Sequence, residues 1–245
     1  MNLPEYYVCD PTGNITVLVS GERNAETARQ VMKAVPSAEQ VGFLTNGGLC
    51  LTMAGGEFCG NASMSAAALY CEKTGDSKVS LQVSGADEPV EVDVSKNEDG
   101  SFACTVKMPG IAGVSAERLT YGEKTYNLPA VRMQGICHII FEGELSRKDA
   151  EAAAKKWCGD LSADALGIMF FDREQMKLTP LVYVPAAETL FWESSCASGT
   201  SALGAYLAFS QNKTVSAQLS EPAGILKVKA SPKGAVYLTG SVKIL

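Results

Sequence analysis

Two stretches of this chain are small and apolar on every side of a helix: Ala62, Met64, Ala66, Ala67, Ala68 and Leu69 in one, and Ala202, Leu203, Gly204, Ala205, Leu207 and Ala208 in the other. A surface helix keeps a polar face, and a helix that has none must be buried. Each stretch is therefore expected to run through a curved sheet as its central core element. Each also begins at a cysteine, in the segments Glu57-Phe58-Cys59-Gly60-Asn61-Ala62-Ser63-Met64 and Glu193-Ser194-Ser195-Cys196-Ala197-Ser198-Gly199-Thr200. Laying Cys59 on Cys196 matches Asn61 with Ser198, Ser63 with Thr200 and Ala68 with Ala205, and both copies reach a tyrosine near their end. The chain reads as two half-repeats, each built round one buried helix.

The surrounding pattern repeats as well. A strand over Ile15 to Val19 is followed by an amphipathic helix that Asn24 caps, with Ala28, Val31, Met32 and Val35 on its apolar face. Pro36 stops that helix, and Leu49 to Met53 reads as a strand ahead of Cys59. Alternating runs at Val79 to Val83, Val90 to Val94 and Phe102 to Met108 read as half-buried antiparallel strands. The second half gives a strand from Cys137 to Phe141, a helix from Ser146 to about Cys158, strands at Ile168 to Phe171 and Leu178 to Val184, then the Cys196 segment. Four short strands are expected after it, near Val215, Leu226, Ala235 and Val242. The turn-rich Pro109 to Gly113 marks the boundary, giving domains 1–112 and 113–245, with a last strand free to cross back to the first.

At 245 residues, with 46% hydrophobic and 20% charged, the chain can fill its cores without disulfide staples. A net charge of −6 with no basic stripe argues against a nucleic-acid partner. No apolar run reaches membrane length, and the opening Met1-Asn2-Leu3-Pro4-Glu5-Tyr6-Tyr7 lacks the charged and apolar regions of a signal peptide, so a cytoplasmic protein with no membrane partner is expected. Most of the eight cysteines are then free thiols. No CxxC is present and His138 is the single histidine, so no metal site is expected. Cys137 and His138 are neighbours on a strand and point to opposite faces, and His138 reads as a hydrogen-bonded residue of a half-buried strand.

Chemistry concentrates at Cys59 and Cys196. A helix N-terminus presents unpaired backbone N–H groups and about half a positive charge, which binds a carboxylate and eases a thiol toward its thiolate. Two such termini facing one bound amino acid could take its carboxylate on the N–H groups of Gly60, Asn61, Ala197, Ser198 or Gly199. One thiolate could then remove the Cα proton while the other thiol delivers a proton to the opposite face, with no pyridoxal phosphate or other cofactor. Cys9, Cys50, Cys71, Cys104, Cys137 and Cys158 read instead as small core hydrophobes. Glu57 and Glu193 can balance the helix dipoles, and Asn14 in Pro11-Thr12-Gly13-Asn14 reads locally as a turn residue.

These segments resemble the diaminopimelate epimerase-like superfamily of cofactor-independent racemases, with Cys-Gly-Asn in one half and Cys-Gly-Ser/Thr-Gly in the other. The likeness is strongest to the histidine racemases of staphylopine-type metallophore pathways. It is carried by Gly13 to Val19, Glu39 to Phe43, Gly56 to Ser65, Pro180 to Pro185 and Trp192 to Thr200, in order along the chain. The resemblance implies an α/β (α+β) fold of two pseudo-symmetric domains, each a curled, mostly antiparallel sheet around a central helix, with the site in the cleft between them. It makes Cys59 and Cys196 the acid/base pair, and puts Asn14, Glu39 and Glu193 at positions suited to gripping the amino and carboxyl groups of the substrate. Gly135-Ile136-Cys137-His138 stands where diaminopimelate epimerases have Gly-Asn-Pro-His, and their Glu-Arg-Gly stretch is missing, which disfavours that substrate. Ala197 replaces the usual Gly of the metallophore racemases and the second half is shorter.

The expectation is a racemase for an L-amino acid, foremost histidine, whose partner is that small molecule. The oligomeric state stays open, a homodimer included. Diaminopimelate epimerase and proline-racemase-like activities are alternatives within the enzyme class, and a silent amino-acid-binding protein is the alternative outside it. A phenazine-biosynthesis-like isomerase shares the fold without depending on two cysteines.

Overall fold

Alternation and capping shape the first part of the chain, which a computed structural model describes over residues 3–245. Met1 and Asn2, part of the opening segment read above, lie outside the described residues. The elements run β1 (Tyr6–Pro11), β2 (Thr16–Ser20), α1 (Ala25–Ala34), β3 (Gln40–Thr45), β4 (Cys50–Met53), α2 (Gly60–Thr74), β5 (Lys78–Val83), β6 (Val90–Lys96) and β7 (Phe102–Lys107). Asn24 caps α1 by accepting the Thr27 backbone N–H at 2.9 Å, and Ala28 and Val31 pack on Val17, Val19, Val41 and Phe43. Met32 does not join them. It is 37% exposed, because the short helix meets the sheet along a narrow stripe. Strand β3 carries no alternation, since both of its faces are covered, and its apolar run gives no period to read.

The second part runs β8 (Gly113–Tyr121), β9 (Lys124–Met133), β10 (Ile136–Phe141), α3 (Arg147–Asp160), β11 (Leu166–Asp172), β12 (Lys177–Val184), β13 (Thr189–Trp192), α4 (Ala197–Gln211), β14 (Val215–Glu221) and β15 (Gly224–Ala230), and the chain ends in β16 (Val236–Ile244). Three strands follow α4 where four were expected. Gly240 and Ser241 look like a break between two short strands, yet they hold register against Cys104 and Ala103 within one continuous strand. The β8–β9 hairpin turns at Gly122, whose φ of 57° is open to glycine at little cost. Trp157 of α3 is fully buried among Phe141, Leu166 and Ile168, and its indole N–H meets the Thr120 carbonyl at 3.0 Å.

The chain divides into two units, the residues up to Met108 together with Tyr237–Leu245, and Pro109–Val236. In the first, the strands follow the order β1-β2-β3-β4-β5-β6-β7-β16, and β16 pairs back onto β1 through Cys9 opposite Ile244, closing the sheet on itself. Helix α2 packs against β1, β2, β5, β6 and β7, with residues 60–69 buried. In the second unit the order is β8-β9-β10-β11-β12-β14-β15, with β13 on β12, and α4 packs against strands from β8 to β15.

The same order of elements appears twice. An antiparallel pair is followed by a helical crossover to a parallel strand, then an antiparallel strand, a buried helix and another parallel strand. These are β1-β2-α1-β3-β4-α2-β5 and β9-β10-α3-β11-β12-α4-β14. The fold is α/β, with mostly antiparallel sheets wrapped around buried helices, as the two all-apolar stretches require.

Candidate active site

Cys59 occupies the N-cap of α2 in extended conformation, φ −133° and ψ 114°, and its sulfur accepts the Ala62 backbone N–H at 3.4 Å. Serine and asparagine commonly fill this role with an oxygen; here the capping atom is a sulfur. The thiol donates to Gln40 Oε1 at 2.9 Å. Gln40 Nε2 donates to Asn14 Oδ1 at 2.5 Å and Thr16 Oγ at 2.8 Å, and Asn14 Nδ2 donates to Glu39 Oε2 at 2.6 Å. A carboxylate oxygen can only accept, so the whole chain from sulfur to Glu39 has one polarity, and the Cys59 sulfur keeps its proton in this arrangement. Asn14 follows the Thr12-Gly13 turn, as its local sequence suggests, and is 3% exposed. Gly60 and Asn61 are buried in the first turn of α2.

Cys196 repeats the geometry in the second unit, at the N-cap of α4 with φ −129° and ψ 103°, its sulfur accepting the Gly199 N–H at 3.3 Å. Ser198 Oγ lies 3.5 Å from the sulfur and 3.0 Å from His138 Nε2. The Cys196 backbone N–H donates to Glu221 Oε2 at 2.7 Å, and Thr200 Oγ donates to the other oxygen of that carboxyl. Burial pushes the Cys196 thiol well above its ordinary value, with the Glu193 and Glu221 carboxyls adding to the rise and the Ser198 hydroxyl opposing it. Burial likewise raises Glu221 to about 8 against its bonds to Thr200 and the Cys196 N–H. Ala197 is buried beside the cysteine, and a side chain at Gly199 would collide with Met169 Sδ.

Among the candidates read from sequence, the first unit brings Cys59, Asn14 and Glu39 into one hydrogen-bonded chain, and the second gathers Cys196, Ser198 and Gly199, with Glu193 acting on the thiol through its charge and a side-chain hydrogen bond. Sequence reasoning missed Gln40, Glu221 and His138. Gln40 was visible as the neighbour of Glu39, but nothing local says that an exposed-looking glutamine bridges Asn14 to a thiol. His138 is fully buried, contrary to its reading on a half-buried strand. Cys137 faces the α3 core while His138 faces the start of α4, so both sides of β10 are covered. Burial holds the imidazole down to about 3, and it is neutral. Cys9, Cys104, Cys137 and Cys158 suit their reading as core thiols, with Cys9 and Cys104 pushed up to about 12 by burial, whereas Cys50 and Cys71 are only partly buried and do not. No cluster of His, Cys, Asp or Glu among the described residues could hold a metal ion.

A family model described as the histidine racemase CntK N-terminal domain matches residues 4–245. The chain belongs to the histidine racemase family. A histidine racemase of Fusobacterium nucleatum is 35% identical to it, over 98% of this chain and 94% of that protein. A histidine racemase of Staphylococcus aureus is 28% identical, over 85% of this chain and 81% of that one. Among solved structures, a PhzF-family phenazine biosynthesis protein of Bacillus anthracis has a TM-score of 0.71 at 11% identity, covering 100% of this chain and 98% of that one. A probable proline racemase of Agrobacterium radiobacter has a TM-score of 0.67 at 10% identity, covering 98% and 90%. These neighbours share the fold of this family member.

Proposed function

We propose that this protein interconverts L- and D-histidine without a cofactor, with Cys59 and Cys196 as its acid/base pair and histidine as its small-molecule partner. One observation carries the reading: in each unit a thiol caps the N-terminus of a buried helix and receives a first-turn N–H on its sulfur. Helix ends of this kind favour negative charge, both on the thiolate and on a carboxylate that gains electron density as its Cα proton leaves. A thiolate on one side of Cα removes the proton and the thiol on the other side supplies one, so the same pair serves both directions. Asn14 and Glu39 offer an amide and a carboxylate suited to the substrate ammonium group. The eight free thiols fit a reducing, cytoplasmic setting. Among the described residues no helix is long and apolar enough to cross a membrane.

The test is chiral chromatography of L-histidine and of diaminopimelate incubated with the purified protein in D2O without added cofactor. D-histidine carrying deuterium at Cα from the first turnover is expected, with diaminopimelate epimerised slowly or not at all. A site shaped for an imidazole leaves a second zwitterionic end unpaired, and unmet polar groups discriminate strongly. Preference for diaminopimelate would overturn the substrate, and no Cα exchange with any amino acid would overturn the racemase.

A further inference from the structure

Ala66, Leu69 and Lys73 stand at i, i+3 and i+7 on one face of α2, and that face lines a cavity of about 250 Å3 within the first unit. Ser20 at the end of β2, Leu44 near the end of β3 and the turn between β3 and β4 complete the wall. Leu44, Ala66 and Leu69 are buried, so the floor is apolar. At a rise of about 1.5 Å per residue, Ala66 lies about 10 Å along the helix from Cys59 and Lys73 about 21 Å, so the cavity stands apart from the thiol and its hydrogen-bonded chain.

Its rim carries both signs of charge. Lys73 Nζ donates to the Tyr7 hydroxyl at 2.8 Å and stands 4.1 Å from the centre of that ring, so the ammonium is fixed by a phenol rather than by a carboxylate. The Tyr7 hydroxyl in turn bonds the Glu5 carboxyl, whose Oε2 accepts from Ser20 Oγ at 3.1 Å. These bonds from Tyr7 and Ser20 hold Glu5 below the usual carboxylate range, and it is ionised at neutral pH. Two hydrogen bonds of about 3 Å that meet at one oxygen set the ammonium and the carboxylate about 5 Å apart. The backbone keeps the rim in place, with the Ser20 N–H on the Glu5 carbonyl and the Gly21 N–H on the Leu44 carbonyl, each at 2.9 Å.

We propose that this cavity is a second, non-catalytic site for a free amino acid with an apolar side chain. Lys73 takes the α-carboxylate, Ser20 and Glu5 take the α-ammonium, and the side chain lies on Leu44, Ala66 and Leu69. A simple anion meets Lys73 but is repelled by Glu5, and a simple amine meets Glu5 but is repelled by Lys73. The paired charges therefore select the zwitterion, and the apolar floor selects its side chain.

The probe is L-leucine, titrated into the full chain carrying isotope-labelled alanine and leucine methyl groups and followed by NMR. The methyls of Leu44, Ala66 and Leu69 report the cavity, while those of Ala62 and Ala197, in the first turns beside the two thiols, report the proposed catalytic residues. Saturable shifts of the cavity methyls are expected. Isocaproate, which is leucine without its ammonium, and isoamylamine, which is leucine without its carboxylate, should each bind at least tenfold more weakly. Lys73→Met and Glu5→Gln should each weaken leucine binding at least tenfold, and Glu5→Gln should not weaken isocaproate. Both side chains are exposed, so the fold survives either change. Cavity methyls that leucine leaves unmoved, shifts confined to Ala62 and Ala197, leucine affinity unchanged in either variant, or an analogue that binds as tightly as leucine would each overturn the proposal. The titration involves no turnover: absent Cα exchange in D2O defeats the racemase reading and leaves this site standing, and unmoved cavity methyls do the reverse.

Discussion

Cys59 and Cys196 share backbone conformation and a first-turn N–H on sulfur, but their side-chain neighbours differ in kind, an amide oxygen for one and a hydroxyl with the Glu193 carboxyl for the other. Replacing either by serine leaves a group too weakly acidic to take a thiolate's part near neutral pH. Cys59→Ser and Cys196→Ser are each expected to lower kcat at least tenfold, about 1.4 kcal/mol of transition-state stabilisation, with the circular dichroism of the fold unchanged. The assay is loss of optical activity from L-histidine, and a variant that keeps more than a tenth of kcat contradicts the pairing. Glu221 adds a pH signature of stability. Its carboxyl ionises near 4.5 ordinarily and near 8 when buried in the folded chain, so folding holds a proton that the unfolded chain releases. The resulting stabilisation is full below about 4.5 and is lost as pH rises through about 8. Glu221→Gln keeps an oxygen for the Cys196 N–H and a donor for Thr200, and should flatten the fall of Tm between about pH 5 and 9. A slope equal to that of the parent protein would show that Glu221 does not hold this proton.

At the scale of elements, the helix starts work because short strands deliver the cysteines to them: β13 ends at Trp192, Glu193 N–H holds the Pro180 carbonyl at 3.0 Å, and the chain then reaches the cap. Gly167, near the start of β11, matters for a different reason. Gly167 leaves room for the His138 ring, and alanine there must displace a buried imidazole. Gly167→Ala is expected to cost about 1–3 kcal/mol of stability, as overpacking does. Denaturant unfolding checks the effect, and a variant as stable as the parent would show that β11 yields more easily than its packing suggests.

For the whole molecule, the decisive connection is the return of the last strand. Val242 of β16 is fully buried and lies opposite Phe102 of β7 and Pro11 of β1, so it sits where the first sheet closes. Val242→Asp would bury a carboxylate without a partner. The expected loss is about 3 kcal/mol or more, with hydrogen exchange quickening first along β1 and β7. Uniform exchange across the chain, or little loss of Tm, would argue that closure by β16 contributes little.

What could be read along the chain was everything that depends on near neighbours. The two apolar stretches announced buried helices, Asn24 announced a cap that accepts the Thr27 N–H group, Ser146 marked a helix start, and the spacing of Cys59 and Cys196 announced a repeated one. The strands β1, β3, β8, β9 and β13 escaped notice; β3 is covered on both faces and β8 is largely exposed along its length, so neither shows a clear alternation. The surroundings of the thiols were beyond any local reading. Gln40 lies 19 residues from Cys59, Glu221 lies 25 from Cys196, and His138 lies 60 from Ser198. Hydrogen bonds at those separations exist only once crossover helices have set neighbouring strands in register and closed the sheets around the buried helices. A sequence specifies which residue types can donate, accept or ionise; folding chooses which of them meet, and so sets the polarity of the hydrogen bonds around each sulfur.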